Sequence, residues 1–395
     1  MRILLITDYA TPTGGAELVM LRLRSGLRHR GHDARLLAST ARPLGQVSQA
    51  DYHCFGMMSP LRGLTQVWNP SAYWKLRSVL AEFRPEVVHV RLFLSQLSPA
   101  ILPLLRNTPA IYHAAWYRAI CPLGTKLLPD GSVCNQSAGL ACVKNRCIPA
   151  FAWPTVTAQR SLQRRSWSSF NWVVANSHAT ERSLTSEGIA VDQVIWNGVE
   201  IRPPAPPLGS IPTIVFAGRL VREKGTANLL EAFSQVREHV PEARLLIAGD
   251  GPERVSLEAL ATRLNLQKNV RMLGMLTRDE MEKEFAHAWA QVVPSLWQEP
   301  FGLVAAEALM RGTPAVVSDS GGLTEIVESG KTGLHCPAGD IMALSAALRQ
   351  LCSNPVQCRT MGEAAREFAL SHLDNNIFVD RFIERYDALI RPGGR

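Results

Sequence analysis

The sequence predicts an α/β protein of two doubly wound domains, each a parallel sheet covered on both faces by helices. Three observations carry this. Strand signals alternate with helical ones through both halves, a proline-dense stretch interrupts them near the middle, and 395 residues is roughly twice the usual length of one domain.

The N-terminal half opens on "RILLITD", a short apolar run punctuated by Gly14-Gly15, and residues 16–30 then repeat Leu and Val at helical spacing until Gly31 stops them. "HDARLLAS", "EVVHVRL" (86–92), "AIYHAA" (110–115) and "NWVVANS" (171–177) read as further strands. Ser177 is suited to cap the helix that follows, because its hydroxyl can accept a first-turn amide. Strands separated by helical segments need crossover connections, hence parallel pairing. "VEIRPPAPPLGS" (199–210) packs four prolines into Pro203–Pro207, and residues 199–212 read as a linker or hinge. The pattern restarts with "TIVFAGR" (213–219), "RLLIAGDG" (244–251), "VRMLGML" (270–276), "AQVVPS" (290–295) and "TPAVVSD" (313–319). The expected domains are 1–198 and 213–395, facing each other across a cleft, with the last helix free to cross back to the first. Ligands of such sheets bind where loops leave the carboxyl ends of the strands.

Composition narrows the function classes. Hydrophobic residues make up 46% and charged residues 19%, a globular balance without a disordered block. No run reaches the ~18 apolar residues of a spanning helix, and "RILLITD" leads into Tyr-Ala-Thr-Pro, not a cleavage site, so a cytoplasmic protein is expected. The net charge of +8 is uneven: residues 1–198 carry 21 Lys and Arg against 10 Asp and Glu. That basic half either meets something anionic, such as lipid headgroups or a lipid diphosphate, or simply solvates scattered arginines.

Chemistry concentrates in three stretches. "AGRLVREKG" places Arg219 at the end of a strand and Lys224 five residues later, with Gly225 opening a helix; two cations beside a helix N-terminus suit a diphosphate. Gly14 and Gly15 leave the first strand in the same way and let backbone approach a phosphate. The spacing is not the full G-x-G-x-x-G fingerprint, which leaves a dehydrogenase unsupported. In "EPFGLVAAE", Glu299 belongs in the loop after "AQVVPS" and Glu307 about one and a half turns inside the next helix. Carboxylates so placed can hold sugar and ribose hydroxyls, while the amides of Phe301, Gly302 and Leu303 can face phosphate oxygens. Ordinary helix-end carboxylates are the alternative.

Together "GGAE", "NGVE", "AGRLVREKG", "IAGDGP", "EPFGLVAAEALMRGTPAVVSDSGGLTEIV" and "TGLHCPAGD" resemble retaining glycosyltransferases of the GT-B fold, family four, most strongly over residues 213–340. The resemblance implies that Arg219 and Lys224 bind the donor diphosphate, Glu299 contacts the transferred sugar and Glu307 holds the nucleotide ribose. It also implies that Gly15, in the Gly14-Gly15 loop, approaches the phosphate, and that the loop around Gly249 and Asp250 lies near the nucleotide. The implied donor is a nucleoside-diphosphate sugar, a substrate; no cofactor and no metal are implied. The implied acceptor is a glycan or lipid-linked intermediate, with no nucleic acid involved. A GT-B sugar epimerase and a non-catalytic nucleotide-sugar-binding scaffold are the rival readings.

The chain departs from that pattern in "AIYHAAWYRAICP", where relatives place a histidine and this chain has Ala115. His113 shares a strand face with position 115 and is either a catalytic substitute or a packed strand histidine. Cys121, Cys134, Cys142 and Cys147 cluster in a loop-like insertion at about 117–150, as ligands of a structural metal or as reduced or redox-active thiols. Cys54, Cys336, Cys352 and Cys358 read as packing residues. "YWKLR" (73–77) and "QRRSWSSF" (163–170) suit either the inner face of an anionic membrane or helix packing.

Overall fold

In the computed structural model, which describes residues 1–12, 14–59 and 62–391, the chain divides into two compact units. The first comprises Met1–Asp130, Cys134–Gly198 and Asn375–Arg395; the second comprises Gly131–Val133 and Val199–Asp374. The last four residues of the expected C-terminal domain lie outside the described residues.

Among the described residues the first unit holds seven strands: β1 (Arg2–Ile6), β2 (Asp33–Ser39), β3 (Tyr52–Cys54), β4 (Val87–Val90), β5 (Ala110–Ala114), β6 (Trp172–Ala175) and β7 (Gln193–Val194). All are parallel, in the order β3-β2-β1-β4-β5-β6-β7. β4 and β5 are buried along their whole length, as a sheet covered on both faces requires. Ser177 caps the helix His178–Thr185 by accepting the Thr180 amide at 3.0 Å. The C-terminal helix Asn375–Ile390 packs on this unit. Its Val379 fills the space over Gly26 of the helix Gly15–His29, where a Cβ would lie 2.5 Å from a valine methyl.

The second unit holds β8 (Thr213–Ala217), β9 (Arg244–Ala248), β10 (Val270–Gly274), β11 (Ala290–Val293), β12 (Ala315–Ser318) and β13 (Gly333–Cys336), all parallel, in the order β10-β9-β8-β11-β12-β13. Its core includes a large apolar cluster with Phe216, Phe233, Ile247 and Val292 among its buried members, and a smaller one around Val215, Leu246 and Phe285. The proline-rich stretch is neither helix nor strand and is strapped to this unit. The Ala205 amide donates to the Arg311 carbonyl at 2.9 Å, and Trp289 Nε1 donates to the Gly209 carbonyl at 2.8 Å. Strand order reverses between β8 and β11, so the crevice expected to take a ligand opens above the ends of these two strands. Among the described residues no helix is long and apolar enough to cross a membrane.

Candidate active site

The loops leaving β8 and β11 are laced together in the second unit. The Leu296 amide donates to the Glu223 carbonyl at 2.9 Å. Gly225 adopts φ 68°, and a Cβ there would lie 2.0 Å from the Pro294 carbonyl oxygen, so only glycine lets the two loops come this close. Lys224 is thereby delivered to Glu299, and its Nζ donates to Glu299 Oε1. The Ser295 hydroxyl donates to the same oxygen at 2.8 Å, and the Lys224 ammonium stands 5.3 Å from the centre of the Trp297 ring. Backbone holds Glu299 in place as well, since its carbonyl accepts the Gly322 amide at 2.7 Å.

The side chain of Glu299 is 8% exposed and that of Lys224 is 23% exposed. Burial alone would raise the Glu299 carboxyl. The Lys224 charge, with hydrogen bonds from Lys224, Ser295 and Trp297, more than offsets burial and holds it below the usual carboxylate range. Glu299 is therefore ionised and already oriented.

After Glu299 the chain passes through buried Phe301 to Gly302, whose φ of 96° reverses it into the helix Leu303–Arg311. A Cβ on Gly302 would meet Leu323 at 2.4 Å. The first-turn amides of this helix have no intrahelical acceptor, and the dipole adds positive potential there. Glu307, inside the helix, accepts from Arg278 Nη2 at 2.9 Å, while Arg278 Nη1 reaches Glu200 at 2.5 Å. Burial pushes the Glu307 carboxyl up to about 7, against the pull of Arg311 and Arg202 and with a further push from Glu282 and Glu200.

Arg219 follows β8 directly and is 74% exposed at its side chain, 3.7 Å from Glu223. Gly249 and Asp250 leave β9 beside it: the Gly249 amide donates to the Gly274 carbonyl at 2.7 Å, and the Leu220 amide to the Asp250 carbonyl at 2.9 Å. The second unit therefore carries Arg219, Lys224, Gly249, Asp250, Glu299, Phe301, Gly302, Leu303 and Glu307. Gly14, Gly15 and His113 belong to the first unit. Gly14 is the N-cap of the helix Gly15–His29, and the Glu17 carboxylate folds back over it, 2.3 Å from where a Cβ would stand. Ser295 and Arg278 escaped sequence reasoning. Ser295 stands four residues before Glu299 in the same loop, a local signal that could have been used; nothing local links Arg278 to Glu307.

His113 is a packing residue, which corrects its expected catalytic role. It is 0% exposed, accepts from Arg91 Nη1 at 2.7 Å, and packs against Phe382 of the C-terminal helix with ring centres 4.9 Å apart and ring planes tilted by 41°. Burial, then the charge of Arg91 and the neighbouring His89, keeps it neutral. A side chain sealed from solvent in this way is not available to a substrate. The clustered cysteines Cys121, Cys134, Cys142 and Cys147 line one small cavity as free thiols. Among the described residues no group of three or more His, Cys, Asp or Glu is arranged to hold a metal ion. Cys54, Cys336, Cys352 and Cys358 are buried.

Two family models match in succession: Glycosyltransferase Family 4 over residues 13–202 and Glycosyl transferases group 1 over residues 200–368. A glycogen synthase of Mycobacterium tuberculosis is 35% identical over 207 residues, covering 50% of this chain and 48% of that protein, so the chain matches about half the length of this relative. A GDP-mannose-dependent alpha-(1-6)-phosphatidylinositol monomannoside mannosyltransferase of the same species is 29% identical over 276 residues, covering 65% of this chain and 71% of that protein. Among solved structures, sucrose-phosphate synthase from Thermosynechococcus elongatus superposes with a TM-score of 0.76 at 21% identity, covering 98% of this chain and 99% of the other. HepE from Anabaena, in complex with UDP-glucose, gives 0.70 at 19% identity, covering 98% of this chain and all of the other. With a group 1 model on the unit that carries Lys224 and Glu299, a family four model on the other, and full-length structural neighbours, the chain belongs to the group 1 glycosyltransferases of the GT-B fold.

Proposed function

We propose that this chain is a retaining glycosyltransferase that moves a sugar from a nucleoside-diphosphate sugar to an acceptor hydroxyl, in the assembly of a cell-surface polysaccharide or lipid-linked glycan. One observation carries the reading: the Lys224–Glu299 pair, beside the open N-terminus of the helix Leu303–Arg311, stands at the point where strand order reverses. Lys224 has three N–H donors and gives one to Glu299, which leaves donors for a diphosphate. The relatives support the donor class, since one is named for GDP-mannose and another was solved with UDP-glucose.

In this reading the donor's bond between the anomeric carbon and the phosphate oxygen breaks, and its electron pair goes to the phosphate. Arg219, Lys224 and the first-turn amides stabilise that charge, and because they are already in place little reorganisation is needed. The acceptor oxygen bonds to the anomeric carbon on the same face and passes its proton to the departing phosphate, so configuration is retained. Glu299 holds hydroxyls of the sugar and Glu307 those of the ribose. The first unit, with its excess of Lys and Arg, takes the acceptor and the contact with an anionic membrane surface.

A thermal-shift screen against UDP-, GDP-, ADP- and dTDP-sugars tests this reading. The correct donor at ~100 times its dissociation constant should add about 2.7 kcal/mol of stability, and Glu307→Ala should lose the shift. No shift with any donor would overturn it. Product analysis with the identified donor then separates transfer from epimerisation.

Glu307 supplies a second check, because burial holds its carboxyl near pH 7 in the ligand-free protein. A raised carboxyl binds a proton that the unfolded chain has released, so its contribution to stability is present below about pH 4.5 and is lost as pH rises towards 7. Ribose hydroxyls donating to the carboxylate favour its charged form. Donor binding at pH 7 should therefore release up to about half a proton, read by titration calorimetry in buffers of different ionisation enthalpy. Glu307→Gln should abolish the release; an unchanged release in that variant would remove Glu307 from the ribose role.

A further inference from the structure

The helix Trp153–Arg165 of the first unit ends in Arg164 and Arg165, an ordinary complement to the negative end of a helix dipole. Arg160, one turn earlier, has no such explanation. Four residues apart, Arg160 and Arg164 project on one helical face, an arrangement of like charges that weakens a helix. Both line a surface cavity of about 230 Å³, with Gln163, Trp167, Glu187 and Ile120 among the other walls.

The possible neutralising groups are already committed. Among the described residues neither guanidinium takes part in an ion pair or a hydrogen bond. The one carboxylate in the wall, Glu187, lies 3.1 Å from Lys126 Nζ, with side chains 5% and 10% exposed. Gln163 Nε2 donates to the Ala119 carbonyl at 3.1 Å. Three cations against one carboxylate leave two positive charges in excess. Burial first, and then the Arg164 charge, pull the Arg160 guanidinium below its ordinary value, and the opposing pull of Glu187 does not make up the difference. Trp167 completes the cavity, its ring fixed edge-on by Tyr112 at 5.0 Å and Phe170 at 5.4 Å between centres.

We propose that this cavity is an anion site for a small phosphate monoester, with Arg160 and Arg164 gripping the phosphate oxygens and Trp167 covering the carbon part of the ligand. Planar guanidinium forks match phosphate geometry, and an indole face suits a compact organic group. The volume falls below the ~300–1,000 Å³ of sites for drug-sized ligands, which favours a small ester. A soluble sugar phosphate and the headgroup of phosphatidic acid present the same chemistry.

Two probes separate these sources, both used on the full chain carrying Arg219→Ala and Lys224→Ala, so that the two cations assigned to the donor diphosphate do not contribute. Equilibrium dialysis with radiolabelled glucose 6-phosphate should show one saturable site per chain. Flotation with phosphatidylcholine vesicles, with and without phosphatidic acid, reads the membrane source. Arg160→Gln with Arg164→Gln should weaken binding of the recognised probe by about 10-fold or more, the worth of one or two charged hydrogen bonds. Arg165→Gln, at an exposed position one residue on, should leave it unchanged. Arg164→Gln alone, also at an exposed position, should weaken it several-fold even if the double variant fails to fold. Binding of glucose 6-phosphate assigns the site to a soluble ester; binding only to phosphatidic acid vesicles assigns it to the headgroup. Binding of neither probe, or equal binding by the folded double variant, overturns the proposal.

Discussion

Replacing Lys224 by alanine is expected to lower turnover about 10²–10³-fold, the usual consequence of removing one preorganised donor from a developing negative charge. The same change strands the Glu299 carboxylate, whose side chain is 8% exposed. Breaking a fully buried ion pair by removing one partner costs about 3–5 kcal/mol; here the partial exposure of Lys224 brings the cost below that range. Activity and stability therefore fall together in Lys224→Ala and have to be separated. Glu299→Gln does this, since it keeps the size and the acceptor oxygen for Ser295 but removes the charge that orients Lys224. It should melt close to wild type and still lose most transfer. Turnover and melting temperature, measured with the donor found in the thermal screen, decide the matter. Wild-type turnover in either variant would remove the pair from the reaction.

Every central strand was legible in the sequence, and of the four edge strands only β10 was. The runs read as strands correspond to β1, β2, β4, β5 and β6 in the first unit and to β8–β12 in the second. The three strands that were not read are β3, β7 and β13, each at the edge of its sheet. β7 is two residues long and wholly half-buried, and β3 has one buried position, so neither carries the apolar run that betrays a buried strand. Of the candidate site, residue type and spacing singled out Arg219, Lys224, Glu299 and Glu307, and the family resemblance alone gave them roles. Their partners across the fold were not legible: Arg278 comes to Glu307 from a separate helix 29 residues away. His113 misled because alternation along a strand tells which face a side chain shares and says nothing of what covers that face. The covering element is the helix Asn375–Ile390, more than 260 residues further on, whose Phe382 and Tyr386 close over the His113 and His89 pair.

Gly225→Ala is the substitution expected to do most damage for one methyl group. At φ 68° an alanine costs about 1–2 kcal/mol in backbone conformation alone, and its Cβ would stand 2.0 Å from the Pro294 carbonyl oxygen, a backbone atom that cannot rotate away. The loops after β8 and β11 must then part. The bond from the Leu296 amide to the Glu223 carbonyl and the meeting of Lys224 with Glu299 both depend on their closeness. Turnover should therefore fall about as far as in Lys224→Ala, although Gly225 contributes no group to the chemistry. Gly330→Ala provides the matched control: φ there is 82°, with nothing within 4 Å of the added Cβ. It should show only the conformational cost in its melting temperature and keep wild-type turnover. Equal losses in the two variants would mean that left-handed strain by itself accounts for the effect. Loss of turnover confined to Gly225→Ala would mean that the close approach of the two loops, more than any single side chain, sets the geometry of the Lys224–Glu299 pair.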